Sequence, residues 1–367
     1  MPSTSDPTTV QAETLVERHG ALGRIRLNRP KALNSLTLQM VRDIEAALDD
    51  FERDPAIAAV LVTGEGERGL CAGGDIRAIY DGGRAGSHEP ATFWREEYKL
   101  NARIGAFPKP YAVIMDGIVM GGGVGISVYG SHRIVTERTR FAMPETGIGF
   151  FPDVGASWFL TRQAGELGTY VGLTGEPLGA ADAILVGLAD VFIRSERLAE
   201  LSKALASLPA DSPRKAISTV IDGFSDVPPA GVLQPQQQAI NRLFAFNTIE
   251  EILAAVRADG SPFPEKLLAV LSAKSPLSLN VTLRLLRLGR ETRKLEDSLE
   301  REFSATAAVL RSHDFYEGVR AAVIDKDRNP QWRPARLADV TAADVDAYFQ
   351  PSAHPLFAAK IKEGSTT

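Results

Sequence analysis

The 367-residue chain has a single cysteine, Cys71, so no internal disulfide can form and no cysteine-rich metal site can be built. Its histidines, at positions 19, 88, 132, 313 and 354, show no metal-ligand spacing, and no bound metal is expected. No apolar run approaches the roughly 20 residues that span a bilayer, so no membrane partner is expected. A net charge of −5 argues against a nucleic-acid partner. The Ser/Thr/Pro-rich start, Met1 to Thr9, lacks a basic segment followed by an apolar one, which argues against a secretory signal. No arginine precedes Arg18, and Asp6 and Glu13 are acidic, against a mitochondrial transit peptide. The expected compartment is the cytoplasm.

Familiar catalytic signatures are missing as well. Gly121 to Ile126 fails G-x-G-x-x-G because position 126 is Ile, and no G-x-x-x-x-G-K-[S/T] occurs. Ser127 is not in a nucleophile elbow, because the second glycine of G-x-S-x-G is replaced by Tyr129.

What remains is a mixed chain with 44% hydrophobic residues, enough for a large core. Thr14–His19 and Arg24–Leu27 read as a hairpin turning at Gly20–Gly23. Thr37 is the expected cap of a helix running to Phe51, with Val41, Ile44, Leu48 and Phe51 on one face. Short buried strands are expected at Ala59–Thr63, Tyr111–Met115, Arg133–Thr136 and Val191–Arg194, with helices between them. The expected organisation is a disordered N-terminus over 1–12, a β/α core over 13–205 and a Pro-rich connection over 206–235. A helical region follows over 236–350, broken at Gly260–Pro264 and Ser275-Pro276, with a tail over 351–367.

Two glycine-rich junctions, around Gly74 and Gly122, stand out beside acids at Glu97, Glu145 and Asp153. Two backbone N–H groups converging on one oxygen would stabilise an enolate or a tetrahedral intermediate, and glycine lets a carbonyl approach closely. The same glycines could equally make turns and allow tight packing. The residues alone leave both readings open.

The ordered set of motifs decides more than any one of them. Asn28-Arg29-Pro30 to Leu36, Ala72-Gly73-Gly74-Asp75-Ile76 and Asp116-Gly117 through Gly123 resemble the enoyl-CoA hydratase/isomerase (crotonase) superfamily. Phe93 to Tyr98, Met143 to Thr146, Phe151 to Gly155, Ser312 to Ala321 and Ile324 to Asp327 are similar to its hydrolase subgroup. The resemblance implies an α/β, ClpP-like crotonase fold, a stacked ββα spiral core with a C-terminal helical region. It implies an oxyanion hole at the N–H groups of Gly74 and Gly122, catalysis by Glu145 and Asp153, and a substrate contact at Glu97. Ala32 and Ile76 would lie near the CoA adenine.

The implied partner is an acyl-CoA, with CoA part of the substrate and no separate cofactor. Homo-oligomers occur in the superfamily, and the helical appendage could cover their usual surfaces. Hydratases of the superfamily carry a second glutamate where this chain has Gly125, and glycine cannot do acid–base work. The implied reaction is therefore hydrolysis of a short branched hydroxyacyl-CoA, with 3-hydroxyisobutyryl-CoA the expected substrate. The alternatives are a hydratase or isomerase acting on an unsaturated acyl-CoA and, behind it, a non-enzymatic CoA- or RNA-binding relative. Glu145 would act as nucleophile or as general base. Phe150, Phe151 and Trp158 are candidate pocket walls or core. Arg284, Arg287, Arg290 and Arg293 form either a solvated helix face or a contact for CoA phosphates.

Overall fold

The computed structural model describes residues 12–259 and 262–357. The expected disorder over residues 1–11, the Gly260-Ser261 part of the expected break and tail residues 358–367 lie outside the described residues. Among the described residues, nine strands form two sheets. The larger has the order β1 (Thr14–His19), β2 (Leu22–Leu27), β3 (Ala59–Gly64), β5 (Tyr111–Met115), β7 (His132–Val135) and β9 (Val191–Phe192). Only its first pair is antiparallel. The smaller is a parallel sheet of three-residue strands, β4 (Gly69–Cys71), β6 (Ile118–Met120) and β8 (Arg140–Ala142).

Each turn of the spiral thus lays one strand in each sheet, β3 then β4, β5 then β6, β7 then β8. The helices of the core are α1 (Leu38–Arg53), α2 (Ile76–Arg84), α3 (Glu89–Gly105), α4 (Gly122–Gly125), α5 (Ala156–Phe159), α6 (Leu167–Thr174), α7 (Ala180–Leu185) and α8 (Leu198–Ala206). Beyond it come α9 (Arg214–Asp222), α10 (Gln237–Leu243), α11 (Ile249–Asp259), α12 (Pro262–Ser272), α13 (Pro276–Glu291), α14 (Leu295–Val309), α15 (His313–Val319) and α16 (Ala342–Asp346).

The local reasons are visible in the residues. Thr37 caps α1 by accepting from Met40 N–H at 3.1 Å, and the apolar stripe read from the sequence is buried beneath it. Such a cap contributes about 1 kcal/mol. The central strand β5 is buried along its whole length, because both faces of the large sheet are covered. Tyr111, Val113 and Met115 join the main core, while Ala112 and Ile114 pack with Leu201, Leu205, Ile217 and Ile221. Those last two belong to α9, which lies inside the proline-rich connection and caps the sheet's outer face. The hairpin turns one residue pair earlier than expected, at Gly20-Ala21, with β2 starting at Leu22. Of the helices expected between the strands, the one after the central glycine run is a single turn, α4, followed by looser turns to Gly130.

Candidate active site

The small sheet delivers two backbone turns to one place. After β4 the chain runs through Gly73-Gly74 into α2, and after β6 through Gly121-Gly122 into α4. Leu36 N–H bonds Gly73 O at 2.8 Å and Asp75 N–H bonds Leu36 O at 2.9 Å, which leaves the intervening Gly74 N–H pointing away. Neither Gly74 N–H nor Gly122 N–H has an acceptor among the described residues. The two lie side by side: a methyl group placed on Gly122 would sit 3.2 Å from Gly74 N and 3.1 Å from Leu36 Cδ1, and would collide with Glu97 Oε1.

A pocket of about 120 Å³ opens here, lined among others by Gly74, Gly122, Glu97, Glu145, Asp153 and Ile76. Three carboxylates face this space and are almost sealed from solvent, Glu97 at 2%, Glu145 at 5% and Asp153 at 5% exposure. Glu97 comes from α3, Glu145 opens a 3₁₀ turn over Glu145–Ile148, and Asp153 sits on the loop before α5.

Burial drives all three acids upward, because a charged carboxylate loses its hydration there. Asp153 rises to about 7, held down by the Tyr98 hydroxyl that donates to its Oδ2 at 2.7 Å. Glu145 lies well above the usual range through burial and then the charge of Asp153, with Lys274 pulling the other way. Glu97 is raised by burial and by both other acids. Glu97 Oε1 and Glu145 Oε2 are buried without a hydrogen-bond partner among the described residues. Acids so placed cannot all be ionised together, so the pocket holds a proton near neutral pH.

Position 125 is closed. A methyl group on Gly125 would come within 2.8 Å of Asn101 Nδ2 and 2.9 Å of Val154 Cβ, so no longer side chain reaches the pocket from there.

The sequence-derived site therefore assembles except at Ala32. Ala32 lies on an exposed 3₁₀ turn, Pro30–Ala32, and does not line the pocket. Its segment is tied to the Gly74 turn by Ala72 N–H to Leu33 O at 3.0 Å. Phe150 lines the pocket, stacked on Trp94 at 5.5 Å and on the buried Phe151 at 4.6 Å. Trp158 lies outside it under Arg162. The arginine row is mostly tied within the protein: Arg287 and Arg290 pair with Glu166, and Arg284 with Asp346. Cys71 is buried, its thiol pushed up to about 12 by desolvation.

Several residues carried no sequence signal for the site. Tyr98 holds Asp153. Asn101 is fully buried with neither amide atom partnered. Lys274 lies against the Glu145 turn, its Nζ 3.6 Å from where a Gly147 methyl would be. Only Tyr98 could have been found, since it follows Glu97 within the same motif.

The enoyl-CoA hydratase/isomerase family model matches residues 22–349. Among curated proteins, the chain is 43% identical to the mitochondrial 3-hydroxyisobutyryl-CoA hydrolase of Gallus gallus over 94% of this chain and 90% of that protein. It is 45% identical to the enzyme of that name from Danio rerio over 92% and 89%, and 42% identical to that from Homo sapiens over 94% and 90%. A crystal structure of a carnitinyl-CoA dehydratase from Mycobacterium thermoresistibile aligns at a TM-score of 0.89 and 44% identity, covering 95% of this chain and 99% of that one. An enoyl-CoA hydratase from Rhodobacter sphaeroides aligns at 0.84 and 40%, covering 93% and 98%.

The names of the curated relatives correct the cytoplasmic expectation, because each is called mitochondrial. The physical reason is that an address is read from a leader by import machinery and leaves no mark on the catalytic core. The crotonase fold with its helical appendage, the paired glycine turns and the 328 residues from 22 to 349 covered by one family model agree: the chain belongs to the enoyl-CoA hydratase/isomerase family.

Proposed function

We propose that this chain hydrolyses 3-hydroxyisobutyryl-CoA to 3-hydroxyisobutyrate and free CoA, a step of valine catabolism, in the pocket between Gly74, Gly122 and Glu145. The observation that carries the reading is a buried carboxylate, Glu145, sharing a pocket with two adjacent, unpartnered backbone N–H groups, while the position of a second hydratase glutamate is sealed. Thioester hydrolysis needs those parts and no more: donors for the carbonyl oxygen, and an acid that attacks or activates water.

In this mechanism the thioester oxygen lies between Gly74 N–H and Gly122 N–H. Glu145 attacks the carbonyl carbon, the C–S bond breaks, and CoA leaves as a thiolate that takes up a proton. Water then opens the resulting anhydride, returning Glu145 and releasing the acid. In the alternative route Glu145 draws a proton from water, which attacks directly. Glu97 and Glu145 are both held above the usual carboxylate range by burial and a neighbouring acid, and each has one oxygen without a partner among the described residues, so a proton on Glu97 relieves the trio. With Glu97 neutral, the charge of Lys274 favours an ionised Glu145. Asp153, aimed by Tyr98, orients the substrate hydroxyl or the water. The relatives' names supply the acyl group, and the small pocket supports a short one. Ile76 at the pocket and the neighbouring Ala32 turn would meet the CoA arm, and CoA is the only cofactor-like group required.

Thiol release from 3-hydroxyisobutyryl-CoA, measured against loss of enoyl absorbance from crotonyl-CoA, tests the reaction. Glu145→Gln should lower turnover by roughly a hundredfold or more. A single turnover in ¹⁸O-water, followed by mass analysis of the peptide bearing Glu145, tests for the anhydride: label in its carboxyl group requires water to open an anhydride at the Glu145 carbonyl, whereas the general-base route puts the water oxygen only in the product acid. Full thioesterase activity in Glu145→Gln would sink the site assignment.

A further inference from the structure

The loop bearing Asp153 is closed from outside the spiral core. Glu302, on α14 of the helical region, is fully buried and takes three hydrogen bonds from that loop. Gly155 N–H donates to its Oε2 at 2.6 Å, Ser157 N–H to its Oε1 at 2.9 Å, and Ser157 Oγ–H to the same Oε1 at 2.6 Å. These partners are about 145 residues apart in the chain, so nothing local arranges them.

The backbone they hold needs holding. Val154 and Gly155 are both left-handed, at φ 53° and 85°, a strained conformation for a β-branched valine. Tyr129 Oη–H grips the other side, donating to Val154 O at 2.7 Å, and a methyl group on Gly155 would collide with that hydroxyl. Asp153 is the residue immediately before this clamped pair. A rotation at Val154 re-aims its carboxylate away from the Tyr98 hydroxyl and the pocket.

Glu302 does not line the pocket, and its burial opposes ionisation, pushing it up to about 8. A residue serving only to fill the core would be better apolar, since an uncompensated buried carboxylate is expensive. Here the cost is offset by three donors, all belonging to the catalytic loop.

We propose that Glu302 is a positioning residue for the hydrolysis: it locks the Val154–Gly155 backbone so that Asp153 faces the substrate. On this reading the C-terminal helical region is part of the catalytic apparatus. The inference rests on the functional role given to Asp153 above.

The test compares four variants of the full chain in steady-state thioesterase assays. Glu302→Gln keeps the shape but turns an N–H₂ group toward one of the donors, and Ser157→Ala removes one donor without touching the acid. Both should lower kcat, Glu302→Gln by about tenfold to a hundredfold and Ser157→Ala by less, with KM within about twofold. Glu300→Gln is the control on the same helix: its carboxylate accepts from Leu356 N–H and Phe357 N–H, not from the loop's donors, and kcat should not change. If Glu302→Gln fails to fold, Ser157→Ala carries the test, and an unchanged kcat in it overturns the inference. An equal drop in kcat for Glu300→Gln and Glu302→Gln would also overturn it, since the effect would then be general loosening. Asp153→Asn separates the two levels. If Asp153→Asn keeps full turnover, the site reading fails; if it is inactive while Glu302→Gln is normal, only the positioning role fails.

Discussion

Replacing Gly122 by alanine puts the proposed oxyanion hole to its most direct test. The backbone at Gly122 is not left-handed, so alanine fits conformationally, and inside a helical turn it is favoured over glycine by up to about 1 kcal/mol. The added methyl meets only the end of the Glu97 side chain as a hard collision, and that end can turn aside. The fold should therefore survive, with a melting temperature within a few degrees of the parent.

Catalysis should not survive. The methyl would stand 3.2 Å from Gly74 N, in the gap where a carbonyl oxygen must come within about 2.7–3.1 Å of both donors. Losing one donor typically costs about 3–4 kcal/mol of transition-state stabilisation, or a fall in kcat of about 10²–10³. KM should move far less, because CoA extends beyond the small pocket. Steady-state thiol release, alongside circular dichroism and a thermal melt, measures both halves of the expectation. Gly74→Ala is an internal contrast, since its methyl would point at the Phe93 ring at 3.0 Å rather than into the gap. A folded Gly122→Ala enzyme with kcat within threefold of the parent would refute the reasoning.

Two predictions concern charge. Asp153 binds its proton up to about pH 7 in the folded state but only up to its ordinary 3.8 when unfolded, so the native state holds the extra proton between those values. Stability attributable to this group falls as pH rises through that window, and the full penalty stands above pH 7. Asp153→Asn, uncharged in both states, should thus gain about 1–3 kcal/mol over the parent at pH 8 and little near pH 4 in urea unfolding, while losing activity. An equal stability difference at both pH values would contradict the burial argument. Lys274→Met removes the cation that opposes the rise of Glu145, so the acid limb of the kcat profile should move to higher pH. An unmoved limb would exclude Lys274 from setting the charge state of Glu145.

Much of the fold was legible because amphipathic periodicity is local. The α1 stripe, the Thr37 cap and the buried β5 run each follow from residues within a few positions of one another. The strands β4, β6 and β8 were not legible, since three residues show no alternation and their only partners lie in other turns of the spiral. The same holds for α9, whose Ile217 and Ile221 sit among prolines and reveal their role only against the large sheet. At the site, Glu97, Glu145 and Asp153 could be read from motifs of contiguous residues. Lys274 and Glu302 could not be assigned roles, because a lysine beside a helix break and a glutamate on a helix look ordinary until a distant loop is laid against them.

Only the resemblance to the family makes Gly125 the place of a second catalytic glutamate; the amino-acid sequence by itself narrowed the chemistry through one cysteine, no metal-ligand spacing and glycine junctions beside acids. Those are properties of residue type and short spacing, and they do not change on folding. Only the tertiary structure decided which groups share a proton. The spiral seals three carboxylates from distant segments into one dry pocket, and their ionisation depends on burial and mutual distance rather than on order in the chain.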